Sequence, residues 1–261
     1  MRLHTKYLLA LLFATLIWAP VLKAGEIFVS NDEWMFTDAY LNSASNNDAV
    51  FAQNIAGWLT GGSGKILIDS SNFGLNGSAL NSELTLLGYN VTEAPGTASF
   101  AGYNAVFVAG DPVGNTALIN YVKAGGSVFL EAGTGNGGSV AEAGQWNTFL
   151  NAFGLNLAPV YNGVGAGSEP GGDINVSAFQ TQGGYSSALF GGVNNVYIWN
   201  GNDVSLSGSG PANQIWNDAT GGNGLYGAWK GTVTPEPVSM LLFGTFLSLA
   251  GGVLSKKKRA L

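Results

Sequence analysis

No cysteine occurs anywhere in the chain, and its single histidine, His4, stands four residues from the amino terminus. Positive charge is nearly as scarce: between residues 25 and 233 the basic residues are Lys65, Lys123 and Lys230 alone, against fifteen carboxylates, a formal charge of −12. Each scarcity excludes a class of chemistry. Without Cys or His, residues 25–233 have no thiol nucleophile, no imidazole base and no Cys/His zinc site. Without disulfides, this segment depends on its hydrophobic core for stability. Without a basic patch, nucleic acid is not an expected partner. What is abundant is glycine, with 40 residues, together with a hydrophobic fraction of 46%. The glycines suit long turns, and the apolar fraction is too high for a disordered chain.

The two ends differ from the middle. Arg2 and Lys6 precede the uncharged run Tyr7 to Ala19, Pro20 breaks it, and Ala24 is a small residue before Gly25. That order of features is a secretory signal peptide, expected over 1–24. At the other end, Pro235-Glu236-Pro237 is followed by an uncharged apolar stretch, 238–254, and then by Lys256, Lys257, Lys258 and Arg259. The stretch lies at the short end of what spans a bilayer. The basic cluster is expected to stay on the cytoplasmic side, which leaves the preceding domain outside the cytoplasm. The triplet, apolar helix and basic cluster together resemble the PEP-CTERM sorting signal over 234–261. The resemblance implies that an exosortase-type membrane peptidase recognises the triplet and processes the tail. It implies a protein anchored at the inner membrane with its domain in the periplasm, or released to the cell surface or matrix. An ordinary tail anchor is the other reading of the same residues.

The middle, 25–233, has the length of one domain. Its pattern alternates strands with helices. Strands are expected at 26–30 (EIFVS), 65–69 (KILID), 89–93, 105–109 (AVFVA) and 127–131 (SVFLE), and helices at 46–59, 78–87, 115–123 and 141–153. Continuous apolar strands between helices predict an α/β fold with a mostly parallel sheet covered on both faces. After about residue 155 the helical pattern fades into glycine-rich loops. Short strand-like runs at 196–199, 214–216 and 225–229 are expected to extend one edge of the sheet. The runs FAQNIAGWLTGGSGKILID, YNAVFVAGDPVGNTALINYVKAGGSVFLEAGTG and ALFGGVNNVYIWNGN resemble the flavodoxin-like, class I glutamine amidotransferase-like group. Catalytic members of that group carry a Cys on a tight turn after a strand, with a later His. The matching turn here is Ala132-Gly133-Thr134-Gly135, and neither residue is present. The resemblance therefore implies the fold without the activity.

Gly61-Gly62-Ser63-Gly64-Lys65 is not a phosphate loop, because Leu59 and Ile66 stand where the motif needs Gly and Ser or Thr. In parallel sheets ligands bind beyond the carboxyl ends of the strands. Asp32, Glu33, Asp69, Asp111 and Glu131 fall there. Three readings are open for them: a site for Ca²⁺ or another hard cation, an acid–base pair for sugar chemistry, or helix caps and solvated loops. Among the tryptophans, Trp58 and Trp146 lie on apolar helix faces and are expected in the core. Trp34, Trp199, Trp216 and Trp229 lie near loops and short strands, where an exposed ring can stack on a sugar and a buried one adds to the core. The expected function is that of a non-catalytic surface or exopolysaccharide-matrix module, with no cofactor unless Ca²⁺ binds. The alternatives are a carboxylate-dependent hydrolase of extracellular sugars and a structural spacer.

Overall fold

The computed structural model describes residues 24–232 except 98, 134–136, 166–171, 183–184, 200, 209–212 and 219. The expected leader (Ala24 apart), Thr134 and Gly135 of the expected turn, and the whole tail with its sorting triplet and basic cluster lie outside the described residues. Among the described residues no helix is long and apolar enough to cross a membrane.

Residues Ala24–Gly231 form one compact unit. Five strands run parallel: β1 (Glu26–Ser30), β2 (Lys65–Ile68), β3 (Asn90–Glu93), β4 (Ala105–Ala109) and β5 (Ser127–Glu131). They stand in the order β3-β2-β4-β5-β1. The sheet continues past β1 through β12 (Gly224–Lys230), β11 (Asn213–Asn217) and β8 (Gln180–Gln182), each antiparallel to its neighbour. The central strands β1, β4 and β5 are buried at every position. This explains why they read as unbroken apolar runs rather than as an alternation.

The two faces are covered by different helices. Phe28, Ile66, Ile68, Phe107 and Phe129 point to one face, where α2 (Asp48–Thr60) and α3 (Ser78–Leu86) pack with Phe51, Ile55, Leu59, Leu80 and Leu84. Ile27, Val29, Leu67, Val106, Val108, Val128 and Leu130 point to the other, where α4 (Asn115–Lys123) and α5 (Gly138–Asn151) pack with Leu118, Val122, Trp146, Phe149 and Leu150. Full burial of one such aliphatic or phenyl side chain contributes roughly 1.5–3 kcal/mol. The α2 face also carries the short helices α1 (Asp38–Leu41) and α6 (Ser186–Phe190). α2 stops at Gly61, whose φ of 77° is the left-handed cap that glycine adopts without strain.

The expected elements are present to within three residues at either end, but the region after residue 154 is richer than expected. β6 (Leu155–Tyr161) pairs with β10 (Asn202–Leu206) on the α5 face, and β7 (Gly172–Asn175) pairs with β9 (Asn195–Ile198) on the α2 face. The run 196–199 therefore does not join the edge of the main sheet. The run 225–229 lies inside that sheet, between β1 and β11.

Candidate functional site

Each parallel strand delivers the chain to one face or the other. β1 leads to α1 and α2 on one face, and its neighbour β5 leads to α5 on the opposite face. The loops leaving β1 and β5 diverge, which is the arrangement where α/β sheets form a crevice. Asn31, Asp32 and Glu33 leave β1 there, and Glu131 ends β5.

The β1 loop turns on Ser30. Its hydroxyl donates to the Asp32 carbonyl at 3.0 Å and accepts from the Asp32 amide at 3.1 Å. Asp32 is 1% exposed. Its carboxylate accepts from the Trp34 amide at 2.6 Å with one oxygen, and from the Trp199 amide with the other. One buried carboxyl thus joins two tryptophans that are far apart in sequence. Their rings meet with centroids 4.8 Å apart. Phe73 approaches Trp34 at 4.9 Å and is 45% exposed, and Tyr40 approaches it at 6.5 Å. Tyr40 stacks on Tyr197, with the planes 17° apart. Trp34, Tyr40 and Trp199 are each partly exposed, so this cluster reaches the surface.

β9 is held at the same place by the start of α2. Asn47 does not cap its own helix. Its side-chain oxygen accepts instead from Asn194 at 2.9 Å and from Asn195 at 3.3 Å. The Asp48 carboxylate accepts from the Tyr197 amide at 3.1 Å. A third strand loop closes in from β2. Asn72 donates to the Glu33 carboxylate at 2.6 Å and accepts from Gly74 at 2.8 Å. Gly74 has room for no side chain: a Cβ would lie 2.3 Å from the Glu33 carbonyl and 2.5 Å from Glu131 Oε2.

The carboxyl groups here are crowded and dry. Burial raises Asp32 to about 7, against the two amide bonds that pull it down, with Glu142 pushing it further up. Burial raises Glu33 to about 8, opposed by Asn72 and aided by Asp32 and Glu142. Burial raises Asp48 to about 8, opposed by the Tyr197 amide and aided by Asp173 and Asp32. Glu131 is fully buried and held well above the usual carboxylate range by burial, then by Glu33, Asp32 and Asp48. Among the described residues neither of its carboxyl oxygens has a hydrogen-bond partner, and the same holds for the hydroxyl of fully buried Tyr226. Register places Glu131, Ser30 and Tyr226 side by side across β5, β1 and β12.

The five expected acids therefore divide. Asp32, Glu33 and Glu131 share one electrostatic field. Asp69 and Asp111 belong to the neighbouring loops after β2 and β4: Asp69 accepts from the Thr97 amide at 3.1 Å, and Asp111 accepts from the Ser71 hydroxyl at 2.9 Å. Among the described residues no group of three or more His, Cys, Asp or Glu is arranged to hold a metal ion. The tryptophans also divide. Trp146 and Trp216 are fully buried, Trp216 among Phe28 and Phe190. Trp58 is only half-buried, against Tyr185 and beneath the Lys230 ammonium, so it is not the core residue expected. Trp229 packs on Phe153. Trp34 and Trp199 alone form a pair.

Sequence reading missed Asp48, Glu142, Asn72, Tyr40 and Tyr226. For Asp48 a signal existed, since it stands at the start of the expected helix 46–59, the first long helix after β1. For Tyr226 none existed, because nothing local announces that β12 inserts beside β1. Compared with family models, with curated proteins and with solved structures, the chain gives no match.

Proposed function

We propose that this chain is an exported, envelope-anchored, non-catalytic module that binds extracellular polysaccharide through Trp34, Trp199, Phe73 and Tyr40. The observation that carries the reading is the partly exposed aromatic cluster at the carboxyl end of β1. Aromatic faces fixed in place from several elements suit stacking on sugar rings. The carboxyls lie beneath this cluster and are buried, whereas a glycosidase displays two of them across an open cleft. The leader and the tail support export and anchoring: Pro235-Glu236-Pro237 as the triplet for an exosortase-type peptidase, 238–254 as the membrane helix, and Lys256 to Arg259 as the cytoplasmic end.

Strand order supports the finer reading of the fold. Renumbered from β2, the order β3-β2-β4-β5-β1 becomes 2-1-3-4-5, the flavodoxin-like order, with the last place filled by the amino-terminal strand.

The test is co-sedimentation of the protein with the host's own exopolysaccharide, with sugar release followed in the same tubes. Binding without release is expected, weakened about tenfold by Trp34→Ala or Trp199→Ala, the loss of one stacking contact. No co-sedimentation overturns the reading. Release of sugars supports the second reading, a carboxylate-dependent hydrolase. The observation favouring it is that Asp32 and Glu33 keep their protons near neutrality, the state that a general acid needs.

A further inference from the structure

The aromatic cluster depends on β9, and bonds that hold β9 end on buried carboxyl groups. Among the described residues β9 pairs with β7 alone, in a sheet of two strands, and such a pair has marginal stability alone. Besides the packing of Val196 and Ile198, the bonds that join it to the rest of the domain include those from Asn47, from Asp48 to the Tyr197 amide, and from Asp32 to the Trp199 amide. Tyr197 and Trp199 are the two β9-side rings of the cluster, stacked on Tyr40 and packed on Trp34. Two buried carboxyl groups are thus fasteners placed directly behind the aromatic surface.

We infer that Asp32 and Asp48 are positioning residues that act as a proton-operated latch, holding β9 and its aromatic rings closed in acid and releasing them in mild alkali. The inference deepens the glycan-binding reading and rests on it for its effect on binding; the movement of β9 stands without it.

The groups that face the latch leave no other outlet for the charge. Asp32 faces Glu33 of its own loop, Glu142 of α5, Glu131 of β5, Asp48 of α2 and the Tyr226 phenol of β12; Asp48 faces Asp173 of β7 as well. All but Tyr226 are acids. Lys65, Lys123 and Lys230 all lie at the opposite edge of the sheet: at the start of β2, at the end of α4 where the chain returns to β5, and at the end of β12 opposite Glu26. While the carboxyls keep their protons they are neutral acceptors and the latch is closed. Ionisation places several like charges in a dry interior without a cation. Peeling β9 away admits water to Asp32 and Asp48 and relieves that cost, so the open state gains as pH rises through about 7 to 8.

Two readouts test this on the full protein between about pH 5 and about pH 9, the span that brackets both groups. Near-ultraviolet circular dichroism reports the coupled Trp34 and Trp199 rings, and amide-region circular dichroism reports the rest of the sheet. The ring signal is expected to fall with a midpoint between 7 and 8 while the amide signal holds. Co-sedimentation with the exopolysaccharide is expected to weaken about tenfold over the same span. Asp48→Asn keeps an oxygen for the Tyr197 amide and cannot ionise, so it should flatten both profiles. Asp32→Asn should also flatten them, if it folds despite losing one acceptor. A flat ring signal in the wild type, a wild-type profile unchanged in Asp48→Asn, or a simultaneous fall of ring and amide signals overturns the latch. A normal ring transition in a protein that binds no polysaccharide at any pH leaves the latch standing and removes the glycan reading.

Discussion

The two edges of the parallel sheet handle buried charge in opposite ways. At the amino edge Glu26 is buried, and it meets the Lys230 ammonium across β1 and β12. At the carboxyl edge Glu131 is more deeply buried and meets other acids instead. A cation beside a buried carboxyl offsets part of the cost of burial, whereas neighbouring acids add to it. The amino edge is thus arranged for stability, whereas the carboxyl edge holds protons behind a surface of aromatic rings. The difference teaches where to look for function: a domain with three lysines has placed all of them away from one site.

The largest expected effect sets the edges against each other through pH. Asp32, Glu33 and Asp48 have folded-state values raised to about 7, 8 and 8. A raised carboxyl is protonated in the folded chain and ionised in the unfolded one between its two pKa values. Its contribution is full below about pH 4 and is lost as pH rises through the folded value. Each such group costs about 1.4 kcal/mol of stability per pH unit crossed, and groups sharing one field lose less than the sum. Denaturant unfolding followed from pH 5 to pH 8 should show stability falling by several kcal/mol, where most proteins are near their maximum. Stability that is flat or rising over this span would remove the contrast.

Making the amino edge resemble the carboxyl edge is the next test. Lys230→Met takes the ammonium from Glu26 and from above Trp58. The lysine is partly exposed, so the expected loss is about 1–3 kcal/mol at neutral pH, below that for a fully buried pair. Chemical denaturation of the variant at neutral pH checks the size.

The smallest effect separates the two halves of the carboxyl edge. Asp111 sits partly exposed over the β2 loop and receives both the amide and the hydroxyl of Ser71. Asp111→Ala is expected to cost about 0.5–1.5 kcal/mol. It should leave the pH trend unchanged, because Asp111 lies outside the field that joins Asp32, Glu33 and Glu131. A changed trend would show that the edge is one electrostatic unit.

Much of this fold was legible in the sequence, for physical reasons. EIFVS, AVFVA and SVFLE are buried on both sides, so their composition alone marks them as central strands. The helices 78–87 and 115–123 carry apolar residues at helical spacing and end near Gly88 and Gly125. The carboxyl-edge acids followed from strand direction, and Asp32, Glu33 and Glu131 do share a field. What was not legible depends on long-range contacts. β12 enters the sheet beside β1 from nearly two hundred residues away. The approach of Trp199 to Trp34 spans 165 positions and is fixed by one carboxyl, Asp32. Trp216 is fully buried because β11 joins the main sheet and packs its ring on Phe28 and Phe190, which no local pattern announces.

Carboxyl groups at the end of β1 and the start of α2 keep their protons near neutrality. The direct measurement is a carbon-detected magnetic resonance titration of the side-chain carboxyls, assigned to Asp32, Glu33 and Asp48. Midpoints near 7, 8 and 8 are predicted. Midpoints near 4, the ordinary carboxylate range, would mean that these groups are ionised and compensated in the folded protein, and would contradict this.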